Sequence, residues 1–255
     1  MRYKSFVLSG GGVRGCAHLG AIKALNEANI YPSALSGTSA GAIVAAFIAS
    51  GYTPDEVLAL FMQQLNFRML SWNSFKMGLV SLKKIESFLE KNLRYTLIEA
   101  LPIPLFVSAT NFKDGSQVIF DKGNLVSAII AASSIPGIFP PKIIEGIPYV
   151  DGGLSNNLPI EPFAENKKDI ISIYVNPVKA FHENMGVLEA TDRALHLSFS
   201  ATVRRAAANK WLYIEPQGLA DFGLFELSKL QEIFTIGYQT TQEMIKKRLE
   251  KGILY

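Results

Sequence analysis

Within its first 41 residues the chain twice runs from a short apolar segment through a glycine turn into an Ala-rich helix, and this pattern constrains the fold most. Phe6-Val7-Leu8 leads into Gly10-Gly11-Gly12-Val13-Arg14-Gly15, and Ala17, Ala21, Ala24 and Ala28 then recur at helical spacing over 16–28. A short uninterrupted apolar run fits a strand buried on both faces, the situation of parallel strands covered by helices. A second strand near Ala34-Leu35 passes through Gly37 into a helix over 40–50, which Gly51 ends. Strand, turn and helix in series build an α/β domain, because parallel strands must be joined by a crossover that covers a sheet face.

Further along, helical patterns are predicted over 54–65 and 83–93. Pro102 and Pro104 introduce a strand over 105–110, and Asp114-Gly115-Ser116 turns it into a partner over 117–120, a hairpin. Strands near 170–175 and 211–214, with helices over 187–209 and 228–250, complete a three-layer α/β/α arrangement around a mainly parallel central sheet. With 255 residues, 49% of them hydrophobic, and no internal repeat or linker, residues 1–255 are expected to form one domain. Residues 66–80 (NFRMLSWNSFKMGLV) are rich in aromatics and Met without a clean period, which predicts a long loop or lid.

The net charge is only +3, with basic and acidic residues interspersed, so no basic stripe for nucleic acid is present. The single cysteine, Cys16, excludes an internal disulfide and suits packing as a small hydrophobe, in keeping with a reducing compartment. Met1-Arg2-Tyr3-Lys4 enters the first strand without a signal-peptide core. The small-and-apolar stretch over 40–49 is about half of the roughly 20 residues that a membrane span requires. A cytoplasmic chain is expected, meeting membranes at most peripherally, through residues 66–80.

Gly37-Thr38-Ser39-Ala40-Gly41 has the form G-x-S-x-G between a strand and a helix, the setting of a nucleophile elbow. Ser39 would sit on a sharp, strained turn, where side chains at 37 and 41 would collide with neighbouring backbone. The helix beyond it aims amides at the negative charge that develops in acyl transfer. Taken alone, the pattern fits a small-residue helix start equally well. The loop from Gly10 to Gly15 presents several amides at a helix N-terminus and could hold an oxyanion. Gly10, Gly12 and Gly15 also match a dinucleotide fingerprint, but that needs an acid where the second strand ends, and Leu35-Ser36-Gly37 has none. None of His18, His182 and His196 has a setting that marks it as a base, although a triad esterase could use His182 or His196. Asp151-Gly152-Gly153 follows an apolar strand end, Tyr149-Val150, and offers a carboxylate instead; partial burial would raise its pKa towards that of a useful base.

In this order the three motifs resemble the patatin-like phospholipase family. The likeness extends to His18-Leu19-Gly20, to the run from Ala131 to Pro141 (AASSIPGIFPP) and to Asn156-Asn157-Leu158-Pro159, and it covers about residues 4–175. The resemblance implies a lipid acyl hydrolase with a Ser39 and Asp151 dyad, Ser39 as nucleophile and Asp151 as general base. It also implies an oxyanion hole in the loop Gly10, Gly11 and Gly12, chiefly the amides of Gly11 and Gly12. Val13, Arg14, Gly15, Gly37, Gly41, Gly152 and Gly153 would support these groups, with Arg14 either meeting a lipid phosphate or buttressing the glycine loop. No metal or organic cofactor is implied. The substrate would be a lipid or other acyl ester, and the alternative is a non-catalytic lipid- or nucleotide-binding protein on the same fold.

If residues 66–80 form a lid, Trp72 fluorescence in a Trp211→Phe background should shift to the blue on adding anionic vesicles. Trp72→Ala should then impair hydrolysis of aggregated lipid far more than of a soluble short-chain ester. An unchanged spectrum with equal losses on both substrates would assign the segment to the core.

Overall fold

A computed structural model describes residues 1–64, 82–178 and 211–252, with isolated positions between 181 and 203. The strands are β1 (Arg2–Leu8), β2 (Ile30–Thr38), β3 (Leu105–Asn111), β4 (Gln117–Phe120), β5 (Lys142–Ile144), β6 (Ile147–Asp151), β7 (Ile170–Ile173) and β8 (Leu212–Ile214). The helices are α1 (Cys16–Glu27), α2 (Ala40–Ala49), α3 (Pro54–Gln64), α4 (Leu82–Asn92), α5 (Leu125–Ala132) and α6 (Leu230–Glu250). Strands β3, β2, β1, β7 and β8 lie side by side and parallel, while β4, β5 and β6 add antiparallel pairs. This is the mainly parallel sheet with flanking helices that the glycine turns predicted.

Phe6, Val7 and Leu8 on β1 have no solvent exposure, as a continuous apolar run in a central strand requires. Two elements escaped the sequence reading. Helix α5 (LVSAIIAA) is apolar on every side, so it carries no amphipathic period; its start is fixed by Asn124, whose side chain accepts from the Ser127 amide at 2.8 Å. Hairpin β5–β6 is marked only by the turn at Glu145-Gly146, both with positive φ. The expected lid over 66–80 lies outside the described residues, as does most of the helix expected over 187–209.

Phe47, Phe61 and Phe88 join α2, α3 and α4 in one aromatic cluster, with ring centroids 5.8 to 6.1 Å apart. On the other side α6 lies close against α1. A Cβ on Gly237 would overlap the Ala17 carbonyl, so only glycine permits this approach. Gly237→Leu is expected to lower stability by about 1–3 kcal/mol, the usual effect of overpacking a helix contact. Urea unfolding beside a Gln239→Leu control on the exposed face of α6 checks this, the control being expected to change little.

Candidate active site

The sheet brings two strand ends together head to head. Strand β3 pairs with β4 through residues 107–110 on one edge. Its other edge is shared: β2 runs parallel along it up to the pair Thr38 with Ser108, and β6 runs antiparallel along it down to the pair Asp151 with Ala109. Adjacent positions of β3 thus hold the last residue of β2 and the last residue of β6. Ser39 is the next residue after Thr38, and its hydroxyl lies near enough to the Asp151 carboxyl to help hold that group's pKa down. Both residues are buried, at 8% and 7% exposure.

Ser39 has φ 52° and ψ −126°, a conformation disfavoured for a residue with a side chain and frequent at functional turns. Its amide donates to the Ala132 carbonyl at 3.1 Å, and the Asp151 amide donates to the Ser134 carbonyl at 3.0 Å. The end of α5 therefore anchors both residues. As expected for the tight turn, a Cβ at Gly37 would strike Gly41 and Ala42, and one at Gly41 would strike the carbonyls of Leu8 and Ser9. Asp151 also accepts from the Gly153 amide at 2.7 Å. Burial pushes its carboxyl up from the ordinary 3.8 to about 6, although the Ser39 hydroxyl and the Gly153 amide pull the other way.

The glycine loop lies alongside. Asn157 Oδ1 accepts from the Gly10 amide at 3.0 Å, and Asn176 Nδ2 donates to the Gly10 carbonyl at 2.6 Å. The expectation that Gly10 contributes to an oxyanion hole is thereby corrected: its amide is committed, and Gly10 serves to suspend the loop. Among the described residues the amides of Gly11 and Gly12 have no protein acceptor. Gly12 has φ +56°, and a Cβ there would meet the Leu224 carbonyl, which accepts from the Val13 amide at 2.9 Å. Arg14 is buried and donates from Nε to the Phe222 carbonyl at 2.7 Å, which favours the buttressing role over contact with a lipid phosphate.

Ser39 opens into an apolar cavity of about 190 Å³ walled by such residues as Val13, Ile43, Phe61, Phe88, Phe139 and Leu227. Among its described lining residues only Ser39, Ser133 and Lys84 bring a side-chain oxygen or nitrogen. Cys16 lines it too, but burial pushes its thiol up to about 12, leaving it a packing residue. His18 is fully buried with Nε2 2.8 Å from the Ser9 carbonyl, and burial lowers its pKa to about 4, so it supports the glycine loop. His182 and His196 lie outside the described residues.

Residues 6–164 match the sequence profile of patatin-like phospholipases. The chain belongs to the patatin-like phospholipase family. An uncharacterized NTE family protein of Mycobacterium tuberculosis is 32% identical over 179 residues, 69% of this chain and 50% of the relative. Lysophospholipase nte1 of Neurospora crassa is 26% identical across 97% of the chain, which spans 18% of that protein. The uncharacterized protein YqhO of Bacillus subtilis is 29% identical, with 96% and 99% of the two chains covered. The chain thus spans half or less of the mycobacterial and fungal relatives. Among solved structures, VipD of Legionella pneumophila superposes with a TM-score of 0.59 at 16% identity, covering 97% of this chain and 67% of that one, and shares the fold.

In this patatin-like site the sequence reading missed three contributors. Asn157 stood inside a recognised motif without a role; Asn176 ends the apolar run after β7; and residues 222–225 close over the glycine loop from far along the chain. A buried Asn at the end of an otherwise apolar strand was the one available signal.

Because the folded-state pKa of Asp151 lies above its ordinary value, the native state binds the extra proton between about pH 4 and 6, and stability from this group falls as pH rises through that window. Above pH 6 the ionised carboxylate costs on the order of 3 kcal/mol. Asp151→Asn should therefore raise the thermal midpoint at pH 7.5, with the gain shrinking towards pH 4. A midpoint at pH 7.5 equal to or below that of the parent would refute desolvation as the cause.

Proposed function

We propose that this chain hydrolyses carboxylic esters of lipids, with Ser39 as nucleophile and Asp151 as general base. The observation that carries the proposal is a strained, buried serine at the wall of an apolar cavity, with a buried carboxyl beside it. Membership of the family supports it, as does the name of the fungal relative, a lysophospholipase.

In the reaction Ser39 Oγ attacks the ester carbonyl carbon while its proton passes to Asp151. A carboxyl with a pKa near 6 is a better proton acceptor than an ordinary carboxylate. The tetrahedral oxyanion accepts from the Gly11 and Gly12 amides, whose positions are set before substrate arrives. Asp151 gives its proton to the departing alkoxide, leaving an acyl-Ser39 ester. Water then attacks that ester with Asp151 again as base, the fatty acid leaves, and the proton returns to Ser39. The apolar cavity takes the acyl chain. No histidine takes part.

Ser39→Ala and Asp151→Asn should each lower kcat on a soluble acyl ester by at least about 10³-fold with the fold retained by circular dichroism. His182→Ala or His196→Ala losses as deep as that of Asp151→Asn, in folded protein, would replace the dyad with a triad. Gly12→Ala should lower turnover by about 100-fold or more with little change in KM, and wild-type turnover there would move the oxyanion hole elsewhere. The acid limb of kcat/KM should fall below about pH 6, because Asp151 must be ionised to accept the proton. Activity flat down to pH 4 would remove Asp151 from that role.

A further inference from the structure

The apolar cavity follows one stripe of helix α2. Ala40, Ile43 and Val44 line it after Ser39, and the next residue on that face of the helix is Phe47. Phe47 has no solvent exposure. The two rings packed against it, Phe61 of α3 and Phe88 of α4, have centroids 5.8 and 5.9 Å from its own, and both line the cavity. Helix α4 shows the same progression from outside to inside: Lys84 is exposed and Ile85 half-buried, while Phe88 and Leu89, one turn further along, are buried. Followed along α2, the cavity therefore runs from Ser39 to a floor of packed aromatic rings.

Two measures give the length of chain that this space holds. At the α-helical rise, Val44, the last residue of α2 on the wall, lies about 8 Å beyond Ser39, and Phe47, beneath the floor, lies about 12 Å beyond it. A fully extended chain advances about 1.2 Å per bond, as three backbone bonds advance about 3.5 Å, so this depth takes roughly six to ten carbons. The volume agrees. A dry cavity of about 150 Å³ lined by Leu, Ile and Phe takes benzene, with six carbons, so the 190 Å³ here takes roughly eight.

We infer that the substrates are medium-chain acyl esters, of about six to ten acyl carbons, and that Phe61 and Phe88 set the upper limit. The inference rests on the proposed hydrolase reading and deepens it. Each methylene up to the limit moves from water onto a carbon wall, and this raises kcat/KM by up to about 4-fold per carbon. Beyond the limit the chain meets three mutually packed rings, which cannot yield without losing their own contacts. The surplus carbons then gain nothing, or force the ester away from Ser39.

The test is a series of 4-nitrophenyl esters with acyl chains of two to sixteen carbons, given to the full chain in one fixed detergent. For the parent, kcat/KM should peak between about six and ten carbons and fall by at least about 10-fold by sixteen. Ile43→Phe places a ring on the wall between Ser39 and the floor, and should move the peak to shorter chains by about two carbons or more. Phe88→Ala and the milder Phe61→Leu open the floor, and should move the peak to longer chains. The position of the peak compares rates within one protein, so a variant that is only partly folded still reports it, and the half-buried Ile43 site tests the limit without opening the core. A parent peak outside six to ten carbons would overturn the inference and leave the hydrolase reading intact. A peak that stays in place in Ile43→Phe and in the folded Phe variants would overturn it too, by removing the floor as the cause. A parent that cleaves none of the esters and takes no fluorophosphonate label at Ser39 would remove the hydrolase reading and this inference with it.

Discussion

Everything at the site depends on two strands of opposite direction ending at neighbouring positions on one edge of β3. Strand β2 arrives parallel and stops opposite Ser108; β6 arrives antiparallel and stops opposite Ala109. Backbone hydrogen bonding fixes both registers, so the separation of Ser39 and Asp151 is a property of the sheet and not of flexible loops. A slip of one residue in either strand would turn the side chain to the other face and break the pair. Functional groups mounted at the ends of sheet strands are held with a precision that a surface loop cannot match.

The glycine loop depends on a different set of contacts. Its N-terminal end hangs between two buried asparagines, one after β6 and one after β7, while its helical end is held by carbonyls of residues 222 and 224. The C-terminal quarter of the chain therefore completes the site even though the family profile stops at residue 164. Leu224, Phe225, Leu227 and Leu230 also wall the cavity, so the same segment shapes the loop and the volume into which Ser39 opens. Helix α6, seated on α1 through Gly237, fixes where that segment lies.

Several features of this region run against stability. Ser39 occupies a disfavoured backbone conformation, Asp151 is a carboxyl held away from water, and the Ser133 hydroxyl is buried without a protein partner. The surrounding core is dense enough to impose them: Phe6, Val7 and Leu8 on β1, Leu35 and Ser36 on β2, and Ala45, Ala46 and Phe47 on α2 all have no exposure. Local conflict with the rules obeyed elsewhere in a fold is how functional sites commonly stand out.

The sequence by itself determined the alternation of strand, glycine turn and helix, the mainly parallel sheet, and the three motifs, because local period and turn chemistry write those directly into neighbouring residues. The steric demand for glycine at 37 and 41 was legible for the same reason. It did not reveal α5, whose apolar residues face inward on all sides, nor the commitment of the Gly10 amide to Asn157, which lies 147 residues away. Tertiary structure alone decided which amides of the glycine loop stay unpaired, that His18 is buried as a prop, and that the Ser133 hydroxyl is buried without a partner among the described residues. These are matters of what lies across the sheet from each residue, and hydrogen-bond partners and desolvation are set by neighbours in space that no local pattern encodes.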